Sequence, residues 1–182
     1  MANVLLGVSA GIAAYKSADL ASKLTQRGDA VVTLMTPNAQ KFVTPLTFRS
    51  LTRRKVYTNT FEDAPDVDTE HISLAQWADA FIIAPATADL LARLAVGMGD
   101  DIVTVTALAF LGPRVLSPSM NDQMWNNPLV QSNLRRLSEV GYRVVEPDSG
   151  HLACGSFGPG RLAPVESIID AIDDEIARAD ES

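Results

Sequence analysis

Short apolar runs separated by amphipathic stretches are the dominant pattern of this sequence. The run from Asn3 to Val8 predicts a buried strand, and the run from Ala30 to Met35 predicts a second one. Between them, the spacing of larger apolar residues predicts a helix from Ile12 to about Gln26, which Gly28 ends. Strand, short loop, helix and strand form a βαβ unit, so both strands belong to a parallel sheet with covered faces.

The same alternation recurs along the rest of the chain. It predicts strands at Ala80–Ala84, Arg114–Ser117 and Tyr142–Glu146, the last of the sheet, and helices at Thr87–Val96, Asp101–Phe110, Pro128–Val140 and Val165–Ala177. Residues 147–164 are predicted to form a Gly-rich loop, and residues from about 172 to 182 an acidic tail or the start of a linker. The pattern therefore predicts one α/β domain over residues 1–182, a doubly wound parallel sheet in a Rossmann-like or flavodoxin-like three-layer sandwich.

Composition narrows the range of partners. The 182 residues carry a net charge of −7 and show no basic stripe, so we expect neither nucleic acid nor a Lys cluster for phosphate. A phosphate would have to be held by backbone N–H groups and hydroxyls. The single cysteine, Cys154, excludes an internal disulfide framework and fits a reducing compartment. No window predicts a signal peptide or a membrane span, and we expect a cytoplasmic protein without a metal site.

The turn after the first predicted strand, GVSAG, admits three chemical interpretations. A hydrolase nucleophile elbow would use Ser9 to attack and His151 as base, but such elbows follow several strands rather than the first. The dinucleotide fingerprint is not matched, because it requires Gly-x-Gly-x-x-Gly. In a mononucleotide phosphate loop, Gly7 and Gly11 would let the backbone approach while Ser9 donates its hydroxyl at the helix N-terminus. The structural alternative is a tight turn in which Ser9 only caps the helix.

Polar and small residues also follow other predicted strands. Thr36 follows the second strand at the edge where Ser9 is expected, and could share a ligand with it. Ala86 would let a planar ligand approach the backbone, and Thr87 would donate a hydrogen bond to it. The alternative is that Thr36 and Thr87 only cap the helices that follow.

The segment from Arg114 to Trp125 reads RVLSPSMNDQMW. Pro118 ends the predicted strand because it has no N–H to give to the ladder. Met120 is polarizable and could lie against a flat ring. Asn121 carries two donors and an acceptor on a short stem, which suits a carboxylate or an amide. The alternative is that Asn121 caps the next helix and Met120 is simply packed.

Four further residues are candidates on chemistry. Phe48 could cover a ring near the same edge or fill the core. The imidazole of His71 suits a general base, although a lone histidine is more often structural. The Gly-rich loop carries the thiol of Cys154 and the cation of Arg161, and long Gly-rich loops are often lids.

Taken together and in this order, these segments resemble the flavin-containing cysteine decarboxylase family over nearly the whole chain. The segment PSMNDQMW matches the family's Pro-x-Met-Asn-x-x-Met-Trp motif, whereas PATADL departs from its Pro-Ala-Ser-Ala-Asn-Thr motif at Thr87, Asp89 and Leu90. That variant and the Cys-Gly-x-x-Gly-x-Gly-Arg loop resemble the phosphopantothenoylcysteine decarboxylase branch. This branch often forms the N-terminal half of a bifunctional coenzyme A synthesis protein. The remaining matching segments are GVSAGIAAYK and HISL.

The resemblance implies FMN as cofactor and the conversion of phosphopantothenoylcysteine to phosphopantetheine, through thioaldehyde and enethiol intermediates. Because the cysteine nitrogen lies in an amide, it cannot form a Schiff base, and oxidation of the thiol by flavin creates the electron sink instead. The resemblance implies His71 as the base, Asn121 as the carboxylate clamp and Cys154 as the proton donor to the enethiol. It implies that Ala86, Thr87 and Met120 lie at the isoalloxazine, and that Ser9 and Thr36 lie at the FMN phosphate. Arg161 would lie at the substrate phosphate or order the lid.

Two alternatives stay open. An oxidative decarboxylase of a peptide's C-terminal cysteine would not need Cys154 and would release an enethiol. A non-catalytic flavoprotein would bind FMN and regulate a partner, and the Asp89 departure is the hint towards it. Family members assemble as trimers or dodecamers with FMN at the subunit interface. The resemblance therefore implies a homo-oligomer, with a fused or separate phosphopantothenoylcysteine synthetase as a further partner.

Overall fold

The computed structural model describes residues 1–60, 70–153, 155 and 157–181. Within these residues, six strands form a central sheet in the order β3–β2–β1–β4–β5–β6, and every neighbouring pair is parallel. This is the Rossmann-like strand order, whose direction of progression reverses between β1 and β4. The predicted fold class is confirmed. The strands are β1 Asn3–Val8, β2 Ala30–Met35, β3 Val56–Tyr57, β4 Ala80–Ala86, β5 Arg114–Pro118 and β6 Tyr142–Val144.

Helices cover both faces of this sheet. They are α1 Ala14–Gln26, α2 Pro45–Thr52, α3 Glu70–Trp77, α4 Ala88–Ala95, α5 Ile102–Ala109, α6 Asp122–Trp125, α7 Pro128–Glu139 and α8 Val165–Asp180, with a 3-10 turn at Ala39–Lys41. The core has two parts because successive strand residues point to opposite faces. In β1, Val4, Leu6 and Val8 pack with α1 and α8, whereas Leu5 packs with α4 and α5.

Local signals in the sequence position two of these helices. Thr87 caps α4, its side chain accepting a hydrogen bond from the backbone N–H of Leu90. Asp101 begins α5 with a reciprocal capping box that involves Thr104. Thr87 directly follows β4, and Asp101 directly precedes α5, so each cap fixes the residue at which its helix begins.

The predicted Gly-rich loop is instead largely a β-hairpin. Strands β7 (Asp148–His151) and β8 (Phe157–Arg161) pair antiparallel, apart from the main sheet. The sequence predicted a Gly-rich loop and not a hairpin, because Gly and Pro lower strand propensity. Here a residue outside the hairpin supports the pairing: the N–H of Met120 donates a hydrogen bond to the carbonyl of Gly160 in β8.

Other details of the predicted elements also differ in the structure. Pro118 belongs to β5 and pairs with Ala86, because a proline at a strand end lacks only its N–H. The acidic tail is helical as far as Asp180, and Asp173 within it forms an ion pair with Arg27 at 2.7 Å. Ile12 precedes α1 and is 61% exposed rather than facing the core.

Candidate functional site

A cavity of about 1070 Å³ lies at the carboxyl ends of β1, β2, β4 and β5. It includes the point where the strand order reverses, which is where ligands bind in open α/β sheets. The volume is at the upper end of the range for small-molecule sites, so it could hold two ligands or one long ligand. The described residues that line it are 9–13, 15–16, 36–38, 87–89, 93, 100–101, 119–121, 124, 151–153 and 160–162.

The start of α1 offers a row of backbone donors to this cavity. Residues 10–13 line the cavity, and no acceptor within the described part of the chain is recorded for their N–H groups. The N-cap residue, Ala13, supplies no side-chain cap. Orphan N–H groups at a helix N-terminus, reinforced by the helix dipole, form an anion-binding site. This arrangement supports the predicted phosphate loop and leaves Ser9 out of the capping role.

Ser9 joins the loops that follow β1 and β4. Its hydroxyl donates to the carbonyl of Pro85 at 2.7 Å and accepts from the N–H of Thr87 at 3.1 Å. The residue is 1% exposed. Because the hydroxyl hydrogen is used by a carbonyl rather than by His151, the nucleophile-elbow interpretation is disfavoured. Ser9 borders the cavity, where its main visible role is to fix the geometry of the two loops.

Two threonine hydroxyls face the same cavity. Thr36 is buried, and its Oγ1 accepts from the N–H of Ala39 at 3.3 Å. Thr87 Oγ1 accepts from the N–H of Leu90 at 3.3 Å. A hydroxyl that accepts in a cap still carries its own hydrogen, so each can cap a turn and donate to a ligand at once. The two alternatives of the sequence analysis are therefore compatible at these positions.

Asn121 is held in place by the helix that it caps. Its Oδ1 accepts from the N–H of Gln123 at 2.8 Å, which caps α6. The hydrogen bond fixes the amide plane, so the group that Asn121 can present to a carboxylate is the Nδ2 donor. The adjacent Met120 also lines the cavity, and its backbone is bonded to the hairpin that carries Arg161.

The charged residues of the cavity are unevenly paired. Arg93 forms ion pairs with Asp101 at 2.7 Å, with Asp100 at 2.8 Å and with Asp89 at 3.0 Å. Its guanidinium hydrogen bond holds the pKa of Asp100 below its usual range. All four side chains line the cavity, and together they carry an excess of two negative charges. An anionic ligand is therefore not expected to bind at Arg93.

Several predicted site residues do not line the cavity of one chain. Gly7 lies in β1, where an added Cβ would be 3.0 Å from Val103 Cγ1, so its small size serves the packing of α5. Phe48 is fully buried in the core, which is the structural alternative stated for it. Ala86 is fully buried as well, and its carbonyl accepts from the N–H of Ser119. The placement of these three residues does not support direct ligand contacts by their side chains.

His71 lies in the first turn of α3 and is absent from the cavity lining. Its Nδ1 is buried and has no hydrogen-bond partner within the described ranges. Helix α3 leads back into β4, so its N-terminal end lies towards the carboxyl edge of the sheet, the same edge as the cavity. Cys154 lies outside the described residues.

Sequence reasoning missed the two cations Lys16 and Arg93 as cavity residues, together with Asp100 and Asp101. The spacing of four between Asp89 and Arg93 was a readable signal for their ion pair. Lys16 carried no such signal, since a lysine three residues into a helix is usually solvated.

The chain matches a known protein family and is similar to several known proteins. The flavoprotein family matches residues 1–177. The chain is 46% identical over 176 residues to a probable phosphopantothenoylcysteine decarboxylase of Streptococcus mutans, covering 95% of this chain and 98% of that protein. It is 47% identical over 167 residues to the coenzyme A biosynthesis bifunctional protein CoaBC of Bacillus subtilis, covering 92% of this chain. The chain spans only 41% of that relative's length.

Solved structures are similar over the same extent. A cysteine-to-serine mutant of a PPC decarboxylase, complexed with pantothenoylaminoethenethiol, superposes with a TM-score of 0.85 at 30% identity, covering 94% of this chain and 96% of that chain. The FMN-dependent cysteine decarboxylase SpaF superposes with a TM-score of 0.84 at 33% identity, covering 96% and 97% of the two chains.

Proposed function

Because the chain belongs to the flavoprotein family, we propose that it is an FMN-dependent decarboxylase that converts phosphopantothenoylcysteine to phosphopantetheine. The observation that carries the proposal is that residues from four separate motifs border one cavity. They are the turn at 9–13, Thr87, Asn121 and Arg161. The relative from Streptococcus mutans, matched over nearly its whole length, supports the same reaction. No helix in the described ranges is long and apolar enough to cross a membrane.

The donor set fits FMN. A phosphate monoester matches the orphan N–H groups of residues 10–13, with the hydroxyl of Thr36 beside them. The hydroxyl of Thr87 and the side chain of Met120 border the space for a flat ring. Bound flavin would supply a hydride acceptor for the substrate and later return the hydride, so the reaction is redox-neutral overall.

The residues of this chain would bind and orient the substrate. Asn121 Nδ2 donates to the substrate carboxylate and holds it. The amide is neutral, whereas a fixed positive charge would stabilise the carboxylate and oppose loss of CO₂. His71 takes the proton from the substrate thiol during its oxidation. Cys154 gives a proton to the enethiol that remains after CO₂ leaves. The relative crystallised with an aminoethenethiol is a cysteine-to-serine mutant, which supports a cysteine at this last step. Use of a free thiol also favours a reducing compartment, so we propose the cytoplasm.

Oligomerisation is part of the proposal, because one chain does not bring His71 to the cavity. A second copy of this chain would supply His71 across a subunit interface. The exposed apolar side chains of Ile12 and Tyr15 at the cavity mouth, each 61% exposed, fit an interface that is covered in the assembly. A synthetase activity, fused or separate, is the proposed neighbour in the pathway, as in the bifunctional relatives.

Subunit complementation tests the shared site. His71→Asn and Asn121→Asp should each be inactive alone. Co-expressed with different tags and purified as mixed oligomers, they should recover activity at about a third of the sites in a trimer and about a quarter in a large assembly, because some interfaces then combine both native residues. If each site were built from one chain, no mixture would recover activity.

An anaerobic incubation with phosphopantothenoylcysteine, following flavin absorbance and product mass together, tests the reaction. Loss of CO₂ with the flavin oxidised at the end is the expected result. Loss of CO₂ and two hydrogens with bleached flavin would favour the oxidative peptide-cysteine decarboxylase. Bound yellow flavin without any mass change, with a peptide C-terminal cysteine as well, would favour the non-catalytic flavoprotein.

A further inference from the structure

Arg161 is a cation of the cavity wall whose charge is not neutralised by the chain. It lines the cavity and forms no ion pair with any carboxylate among the residues that the structure describes. Arg93, by contrast, lies within 3.0 Å of three carboxylates. The charge of Arg161 can therefore act on a ligand in the cavity, whereas the charge of Arg93 is already offset.

The side chain of Arg161 lies back across the β7–β8 hairpin. A Cβ added to Gly150, on the neighbouring strand β7, would be 2.9 Å from Arg161 Cδ. Gly150 is not among the glycines with positive φ, so the backbone itself does not require a glycine there. The space left by the missing side chain is the space that Arg161 occupies. Gly150 therefore fixes the direction in which the guanidinium points.

The neighbours of Arg161 place it at the same end of the cavity as Asn121. The carbonyl of Gly160 accepts from the N–H of Met120 at 2.9 Å and from the hydroxyl of Ser119 at 3.2 Å. Asn121 follows directly and is the proposed clamp of the substrate carboxylate. The substrate phosphate lies at the far end of the pantothenoyl arm from the cysteine. The position of Arg161 therefore favours the cysteine end of the substrate over the phosphate.

The other charged or titratable groups around Arg161 come from β7 and α6. Asp148 is the residue paired with Arg161 in the hairpin, and its Oδ1 accepts a backbone N–H at 2.8 Å. His151 packs edge-on against a neighbouring ring, with the centroids 5.2 Å apart. Asp122 of α6 lies against β8. Among these four residues, only Arg161 carries a positive charge that stays fixed across the ordinary pH range.

We infer that Arg161 is a further catalytic residue, whose guanidinium binds the substrate sulfur as negative charge develops there. The inference rests on the proposed function. When CO₂ leaves the thioaldehyde, the bond between the α-carbon and the carboxylate breaks, and its electron pair forms a carbon–carbon double bond. The π-electron pair of the C=S bond then remains on sulfur, as the charge of an enethiolate.

The two residues divide the work at this end of the cavity. The neutral amide of Asn121 holds the carboxylate, and the sulfur sits on the carbon next to the one that bears this carboxylate, within reach of the same wall. A preorganised cation at the sulfur acts on charge that exists after CO₂ begins to leave, so it stabilises the transition state more than the ground state.

The test measures the ionisation of a bound enethiol rather than turnover. Holoenzyme is saturated with pantothenoylaminoethenethiol, which carries no phosphate, and the pH is varied. An enethiolate beside oxidised flavin gives a long-wavelength charge-transfer band that the neutral enethiol lacks. Loss of a hydrogen bond to a charged group should raise the midpoint pH of this band by roughly 1–2 units in Arg161→Gln.

Three further variants separate charge from structure. Arg161→Lys keeps the charge and should restore most of the wild-type midpoint. Gly150→Ala keeps the arginine but displaces its guanidinium, so the midpoint should rise. Arg143→Gln removes an exposed arginine of β6 that does not line the cavity, and should leave the midpoint unchanged.

Turnover gives a second readout. Arg161→Gln should lower kcat for phosphopantothenoylcysteine roughly 10–100-fold, as removal of a donor to a developing anion does. The ratio of kcat/KM between phosphopantothenoylcysteine and pantothenoylcysteine should stay at the wild-type value.

Each outcome has a distinct meaning. Equal midpoints in wild type and Arg161→Gln, or no band in wild type, overturn the inference. An unchanged midpoint with a weaker preference for the phosphorylated substrate would assign Arg161 to the substrate phosphate and overturn it as well. A wild-type protein that shows the shift but turns over no phosphopantothenoylcysteine would refute the proposed function, while the binding of anionic sulfur by Arg161 would stand.

Discussion

The backbone N–H of Met120 donates to the carbonyl of Gly160 at 2.9 Å, although the two residues are 40 positions apart. Gly160 has φ +138°, and an added Cβ would clash with the carbonyl oxygen of Met120. The Ser119 hydroxyl reaches the same Gly160 carbonyl at 3.2 Å. These contacts seat the β7–β8 hairpin on the segment that carries Asn121, so Asn121 and the hairpin are positioned as one unit.

Substitution of Gly160 should therefore damage catalysis more than stability. We expect Gly160→Ala to push the hairpin away from Met120 and to lower kcat/KM about 100-fold, as misplaced catalytic groups do. Bound FMN should be retained. Gly97→Ala is the matched control, because Gly97 also has positive φ but open space, with the nearest atom at 4.0 Å. It should cost about 1 kcal/mol of stability and leave kcat/KM unchanged. Equal losses in both variants would contradict a specific role for the Met120 contact.

The two functions of Asn121 can be separated. Aspartate also caps helices, so Asn121→Asp should keep the wild-type melting temperature. It replaces the donor with a carboxylate that repels the substrate carboxylate, and kcat/KM should fall at least about 100-fold. Asn121→Ala should lose activity and, in addition, about 1 kcal/mol of cap stability. An active Asn121→Asp variant would show that the residue only caps α6.

Ser9 and Ser17 form a natural matched pair. Both hydroxyls are buried and donate to carbonyls of β4, Ser9 to Pro85 at 2.7 Å and Ser17 to Ala84 at 2.6 Å. Replacement by alanine leaves a buried carbonyl without that donor, which should cost about 1–3 kcal/mol in either variant. Only Ser9→Ala also releases Thr87, so only it should weaken FMN binding. Urea denaturation and flavin titration measure the two effects. Equal FMN affinity in the two variants would remove Ser9 from the cofactor site.

The carboxylates around Arg93 should make stability depend on pH. A hydrogen bond from Arg93 lowers the pKa of Asp100 in the folded state, so this pairing stabilises the fold above the usual Asp range and is lost as pH falls through the folded pKa. Arg93→Gln should lower the melting temperature most at pH 7, and the difference from wild type should narrow below pH of about 4.

A control variant tests whether the loss of any surface salt bridge would have the same effect on the melting temperature. Arg178→Gln, which breaks the pair with Glu175 on α8, should change the melting temperature little at any pH, because surface pairs contribute little. A difference for Arg93→Gln that stayed constant from pH 7 down to about pH 2 would mean that lost packing, rather than charge, explains its effect.

The sequence by itself determined the class of fold and several of the polar residues that lie at the carboxyl edge of the sheet. Buried strands such as β2 and helix starts such as Thr87 leave local signals in the sequence, an apolar run and a capping residue, which reveal them. The polar residues Thr36, Thr87 and Asn121 were predicted to lie together because parallel strands bring their carboxyl ends to one edge of the sheet. Motif resemblance added the candidate chemistry, which the family match supports.

Tertiary structure alone decided the rest. The β7–β8 hairpin is stabilised by a hydrogen bond to Met120 that no local pattern contains. The charge of Arg93 is neutralised by Asp100 and Asp101, which lie seven and eight positions further along the chain, beyond the end of α4. Ion pairs depend on distances of a few ångströms between side chains from different segments, whereas sequence patterns record only the order of residues along one segment.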